Sequence, residues 1–146
     1  IVRARDTLAI AHCSAVHIDR CLPMQLVDAI TKVSKANDFE VDAYVGPCAG
    51  GSYIYETYPT WAKNDGWKHF ITETSEGYSI NLRRAILSQL MRRGVNNVTS
   101  SPIDTITDDN YYSNYAYKHG DETKNGRFLS GTYFEKVKTL AKVKTR

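Results

Sequence analysis

The chain has 146 residues, of which 42% are hydrophobic and 24% charged, and it carries a formal net charge of +3. That composition suits one globular domain and excludes wholesale disorder, collagen-like repeats and coiled coils. No apolar run approaches the roughly 20 residues of a membrane helix, and Arg3, Arg5 and Asp6 interrupt any signal-peptide pattern.

The first residue is Ile1 rather than Met, which reads as a processed product or a fragment. Residues 135–146 hold Lys136, Lys138, Lys142, Lys144 and Arg146 against Glu135, a net +4 that leaves residues 1–134 at −1. The chain therefore divides into a single near-neutral domain, 1–134, and a basic tail, 135–146. A nucleic-acid binder should carry its basic face on the fold itself. Arg83, Arg84, Arg92 and Arg93 read instead as a solvated helix face, so nucleic acid is not the expected partner. Three cysteines, Cys13, Cys21 and Cys48, cannot all pair within one chain, which reads as a reducing, cytoplasmic compartment. The sequon Asn97-Val98-Thr99 is then a chance match.

In chain order, residues 7–12 form a continuous apolar run that predicts a strand buried on both faces, the pattern of a parallel sheet. It ends at His12-Cys13-Ser14, which places polar chemistry at the end where open α/β sheets bind ligands. Residues 23–36 predict a helix, with Pro23 at its first position and Leu26, Val27, Ile30 and Val33 as its apolar stripe. Asn37-Asp38 ends it. Residues 39–45 alternate, with Phe39, Val41, Ala43 and Val45 on one face, and predict a half-buried strand that Gly46-Pro47 breaks. The result is a strand–helix–strand unit over 7–45.

Residues 46–61 are glycine-rich and then aromatic. They lack the spacing of a dinucleotide or phosphate loop, and a tight turn followed by aromatic packing is the expectation. Asn81 caps a predicted helix from Leu82 to Arg93, with Gly94 as its left-handed stop. Residues 95–100 predict a strand and residues 102–127 a long polar loop dense in Asp and Tyr. Residues 128–134 alternate as a final strand.

The densest candidate site is His12-Cys13-x-x-x-His17-x-x-x-Cys21. On one helix Cys13 and Cys21 would stand about 12 Å apart along the axis, too far to hold one ion together. A zinc site would need a further ligand from elsewhere in the fold. The bland alternative is packed cysteines and a hydrogen-bonded histidine. A Cys–His nucleophilic pair would have to use His17, because His12 and Cys13 point to opposite faces of a strand. The marks of serine hydrolases and zinc proteases are absent. In the loop Asp108-Asp109-Asn110-Tyr111-Tyr112-Ser113-Asn114-Tyr115, the tyrosines could line a pocket for a planar ligand; an ordinary packed loop is the alternative.

The order of these motifs resembles the laccase-domain family, whose members have been described as polyphenol oxidases, peptidoglycan-editing factors and purine nucleoside phosphorylases with adenosine deaminase activity. The strand ending in His12 resembles the family's strand before His-Ala-Gly-Trp-Arg-Gly. Gly46-Pro47-x-x-Gly50 resembles its Gly-Pro-x-Ile-Gly. Asn81-Leu82-x-x-Ala85, Gln89-Leu90 and Gly94-Val95 match its Asp-Leu-x-x-Ala-Asn-x-x-Gln-Leu-x-x-x-Gly-Val gap for gap. Tyr111-Tyr112-Ser113 resembles its Phe-Phe-Ser, and Gly126-Arg127 its Gly-Arg. The departures are equally specific. The Trp and Arg after the histidine are missing, Asn81 stands for Asp, Ile86 for Asn, and Asp104 for a usual Cys.

The resemblance implies an α/β fold with a mixed, mostly parallel sheet and flanking helices, here an incomplete laccase-like domain. It implies a zinc or copper site of two histidines and a cysteine, of which this chain would supply only His12. The other two belong to an amino-terminal half that these residues do not include. A completing amino-terminal segment or a homo-oligomer is the implied partner, and Cys13 and His17 are candidate replacement ligands. The resemblance further implies turnover of purine nucleosides or phenols. His12 and Arg127 are then the catalytic candidates, Arg127 as an anion contact, and Gly46, Tyr112 and Tyr115 would line the substrate pocket. A catalytically silent binding or assembly module is the alternative, favoured by the missing Trp-Arg pair and the Asn at position 81.

Overall fold

The computed structural model describes residues 1–62, 65–127 and 129–132. Of the strand expected over 128–134, residues 129–132 are described and form no strand; residues 128, 133 and 134 and the basic tail 135–146 lie outside the described residues. No helix among the described residues is long and apolar enough to cross a membrane.

The chain begins with a hairpin, β1 (Val2–Ala4) and β2 (Thr7–Ala9), whose register pairs Ala4 with Thr7 across Arg5-Asp6. Arg5 turns the chain with a φ of 55°, the positive value a two-residue hairpin loop requires. A short helix, α1 (Ala15–Asp19), and a longer one, α2 (Leu22–Ser34), follow. They are separated by Cys21 in a left-handed conformation at φ 58°, so 13–21 is not one continuous helix. A 3₁₀ turn at Asp38–Glu40 leads into β3 (Val41–Val45).

β1 lies between β2 and β3 and is antiparallel to both. The two strands of the expected strand–helix–strand unit therefore do run in the same direction, but a third strand is inserted between them. The run at 7–12 is a shorter strand at a sheet edge, half-buried rather than covered on both faces, and Ile10 is 52% exposed. A continuous apolar run alone cannot distinguish these cases; the Arg5-Asp6 turn decides in favour of the hairpin.

Beyond β3 the chain forms a second, wholly antiparallel sheet from β4 (Tyr53–Tyr55), β5 (Ile71–Thr74) and β6 (Gly77–Ile80), in the order β4-β6-β5. Helix α3 (Leu82–Arg92) then returns the chain to the first sheet as β7 (Asn97–Ser100), parallel to β3. The first sheet has the order β2-β1-β3-β7 with one parallel pairing and two antiparallel ones. The expected mostly parallel sheet is thus corrected to a mixed, mostly antiparallel one, with flanking helices as expected. The last described helix is α4 (Asn114–Lys118), inside the segment expected to be a long loop.

Helix α2 packs on β1 and β2, α3 on β3 and β7, and the two helices touch each other. Val2 and Ala4 of β1 and Val41, Ala43 and Val45 of β3 are buried. Each fully buried Val or Ile, such as Val27 and Ile30 on α2, contributes about 1.5–3 kcal/mol. Val33 is 72% exposed and Phe39 65% exposed, so neither belongs to the apolar faces assigned to them. Val33 occupies the last turn of α2, and Phe39 sits in the 3₁₀ turn rather than in β3. On the other face of the sheet, Asp42 of β3 stands directly between Arg3 of β1 and Asn97 of β7 and bonds to both.

Helix α3 is bounded as the sequence predicts. The Asn81 side chain accepts from Arg84 N at 2.9 Å, and Gly94 at φ 92° takes the left-handed position that favours glycine. Arg84 and Arg92 are exposed, as expected of a solvated face, but Arg83 and Arg93 are not. Arg93 pairs with Asp28 and Asp38, and Arg83 is half-buried and donates to the carbonyl of Ile103.

Candidate functional site

A half-open cleft of about 1350 Å³ lies at the carboxyl ends of β2 and β3. One wall is the segment after β2, including His12 and Cys13; a second runs from Tyr44 to Ala49. Opposite stand β4 and the 112–119 segment, and Leu82, Ile86 and Leu90 of α3 contribute apolar surface. The chain reversals after β2 and β3 place polar and thiol groups here because the apolar alternation of both strands has ended.

His12 is exposed and reaches the cleft, with its ring edge-on to that of His17 at a centroid distance of 6.0 Å. Cys13 is half-buried, and burial pushes its thiol above the usual range. His17 stands outside the cleft wall. Its Nδ1 accepts from Ser14 N at 3.3 Å and lies 3.1 Å from Ser14 Oγ, so the ring closes the first turn of α1. Gly46 lines the cleft beside the Tyr44 ring. Arg127 is exposed, and its Nη1 donates to the carbonyl of Gly126 at 2.7 Å; it is not part of the cleft wall. Tyr112 lines the cleft with its ring pressed on Gly126, where a Cβ would come within 2.7 Å of Cδ1.

Tyr115 also lines the cleft, but its hydroxyl is committed. It accepts from Ile54 N at 3.1 Å and donates to Ile54 O at 2.5 Å. At the outer edge of the small sheet, one phenol thus serves the backbone groups that a further strand would otherwise satisfy. The ring stacks between Tyr53 at 4.3 Å and His119 at 4.1 Å. Burial is the main cause that raises the Tyr53 hydroxyl pKa, helped by its 2.8 Å contact with the Tyr55 hydroxyl.

Beneath the glycine-rich loop lies a cluster that the sequence reading missed. Asp104 pairs with Cys48 in an isolated parallel bridge and accepts from Ser52 N at 3.3 Å and Ile106 N at 3.0 Å. A Cβ on Gly50 would stand 2.8 Å from Asp104 Oδ2, a close approach that only glycine allows. Burial raises the Cys48 thiol, while Arg83 beside it draws it down. The Gly46-Pro47-x-x-Gly50 motif could have pointed to position 50. The partner residues at 83 and 104, however, come from distant parts of the chain.

Among the described residues no group of three or more His, Cys, Asp or Glu side chains is placed to hold a metal ion. His12 and Cys13 line the cleft, whereas His17 is engaged by Ser14 and Cys21 sits at the break between α1 and α2. The residues present therefore do not form a zinc or copper centre by themselves.

A family model described as multi-copper polyphenol oxidoreductase laccase matches residues 2–135. The chain belongs to that family. No curated protein and no solved structure shows a significant match to it. The family's description names copper; nothing here supports zinc.

Proposed function

We propose that this laccase-family chain uses the cleft to bind a planar aromatic small molecule, a phenol or a purine nucleoside. The observation that carries this reading is the cleft itself. It sets His12 and Cys13 on one side against an aromatic wall of Tyr53, Tyr55, Tyr112 and Tyr115 on the other. Tyrosine rings offer stacking area at little conformational cost, and the apolar α3 face removes water from a bound ring. Gly46 leaves space beside Tyr44, and Tyr112 and Tyr115 set the width of the slot. His12 is the group best placed to meet a polar substituent of the ligand. Lys118, which lines the cleft, and Arg127, exposed next to the Gly126–Tyr112 contact, are the candidates for an anion at the rim.

Any metal-dependent turnover then needs donors from a completing amino-terminal segment or a second copy of the chain, joined to His12. The experiment is to titrate the purified chain with catechol, inosine and adenosine while following tyrosine and tryptophan fluorescence. Each is then assayed for turnover with and without added copper. Saturable binding that Tyr112→Ala weakens supports the reading; absence of binding to all three overturns it. The second reading is a catalytically silent binding module, favoured by the incomplete donor set. It predicts binding without turnover even after copper and a separate amino-terminal segment are added. Restored turnover on mixing would refute it.

A further inference from the structure

The aromatic residues extend well beyond the cleft wall. His119 is exposed at the cleft and lies on Tyr115 at 4.1 Å, with 30° between the planes. Tyr115 meets Tyr53 at 4.3 Å, and Tyr53 meets Tyr55 at 4.9 Å. Tyr55 meets Trp61 at 6.0 Å, and Trp61 meets Trp67 at 4.8 Å. Trp67 is 3% exposed, and its Nε1–H donates to Asp19 Oδ1 at 2.7 Å. Edge-on and tilted contacts of this kind are ordinary in cores. What packing does not require is an unbroken path of oxidisable rings from a solvent-facing imidazole to an indole with a carboxylate on its N–H.

We propose that His119, Tyr115, Tyr53, Tyr55, Trp61 and Trp67 form a one-electron relay that carries an oxidising equivalent from the cleft wall to the Trp67–Asp19 pair. Loss of an electron makes a phenol or an indole strongly acidic, so the hole settles where a base can take the proton. Tyr115 donates its hydroxyl hydrogen to a carbonyl, a poor base. The Tyr53 and Tyr55 hydroxyls contact each other, and burial makes the Tyr53 proton hard to lose. Among the described residues, Trp67 alone on this path has a carboxylate in line with its N–H.

The balance is simple. A one-electron oxidant stronger than a tyrosyl radical, of the aromatic radical-cation class, gains one electron at the cleft wall and returns to its neutral parent. The electron comes from Trp67 through the chain of rings, and the Nε1 proton passes to Asp19, leaving a neutral tryptophanyl radical. The relay rests on ring geometry and not on the substrate reading, because any one-electron oxidant at His119 that is stronger than the indole should feed it.

The test places a ruthenium bipyridine photosensitiser on His119. His12, His17 and His69 are the other histidines, so an H12Q/H17Q/H69Q chain makes the label unique. A laser flash with hexaammineruthenium(III) as soluble electron acceptor generates the oxidant in place, and transient absorption follows the products. The expected product is the neutral tryptophanyl radical. Asp19→Asn should replace it with the protonated radical cation, whose band is distinct. Tyr55→Phe and Trp61→Phe should each abolish the Trp67 signal, with near-ultraviolet circular dichroism checking that the fold is intact. The proposal is overturned by oxidation that stops at Tyr115. A tryptophanyl yield unaffected by Tyr55→Phe and Trp61→Phe, or a neutral radical that persists in the Asp19→Asn chain, overturns it as well. Loss of substrate binding with the radical signals intact would count against the proposed function and leave the relay standing.

Discussion

Tyr115→Phe removes one oxygen atom and keeps the ring that stacks on Tyr53 and His119. The hydroxyl is the partner of both Ile54 N and Ile54 O, so the substitution leaves two backbone groups unpaired at the edge of the small sheet. A buried orphan group costs about 1–3 kcal/mol. Ile54 is half-buried, so water recovers part of that, and the total comes to about 2 kcal/mol. For a chain of this size that corresponds to a fall in Tm of roughly 6–8 °C. Thermal unfolding followed by circular dichroism measures it, and urea unfolding should show a lower midpoint with an unchanged slope. The same substitution should loosen the 113–118 segment from β4 and weaken binding of an aromatic ligand in the cleft. A Tm within about 1 °C of the unsubstituted chain would refute the reasoning, because the phenol would then not be sealing the edge.

Three further outcomes are expected. Asn81→Ala removes the side-chain acceptor for Arg84 N and should cost about 1 kcal/mol in urea unfolding, the usual loss for an N-cap. Asp42 is held below the ordinary carboxylate range, first by the Asn97 amide and then by Arg3. Its stabilising contribution is therefore present above about pH 4, near its unfolded value, and is lost as the pH falls through the folded value; the stability gap between the parent and Asp42→Asn should shrink in acid. Iodoacetamide at neutral pH should label exposed Cys21 first, because burial both shields the Cys13 and Cys48 thiols and raises them. Peptide mapping by mass spectrometry reads the order.

The parts of the fold legible in the sequence are those whose cause is local. Asn81 and Gly94 bound α3 because a cap and a left-handed stop act within one turn. Val41, Ala43 and Val45 show β3 because alternation repeats every second residue. Strand β1 left no such mark: three residues, Arg3 among them and Arg5 next to them, gain their place by pairing on both sides, which no window along the chain displays. Strands β4, β5 and β6 are short and mixed in polarity; β5 and β6 pair locally across Ser75-Glu76, but β4 joins β6 across a long stretch of chain. At the site, His12, Cys13, Gly46, Tyr112 and Tyr115 were identified by residue type and motif, and all five border one cleft. His17 and Arg127 were identified by the same means and stand outside it. Local bonds decide that, to Ser14 for one and to Gly126 for the other. His119 and Cys48 were missed, because their relevance comes from what the fold sets beside them.

The contact between Gly50 and Asp104 restricts how this chain can diverge. A methyl group at position 50 meets the carboxylate, whereas shortening residue 104 opens the space but leaves Ser52 N and Ile106 N without their acceptor. Neither site can change alone without loss. A library randomised at both and screened for folded chains should therefore return correlated pairs, with bulk gained at one position matched by bulk surrendered at the other.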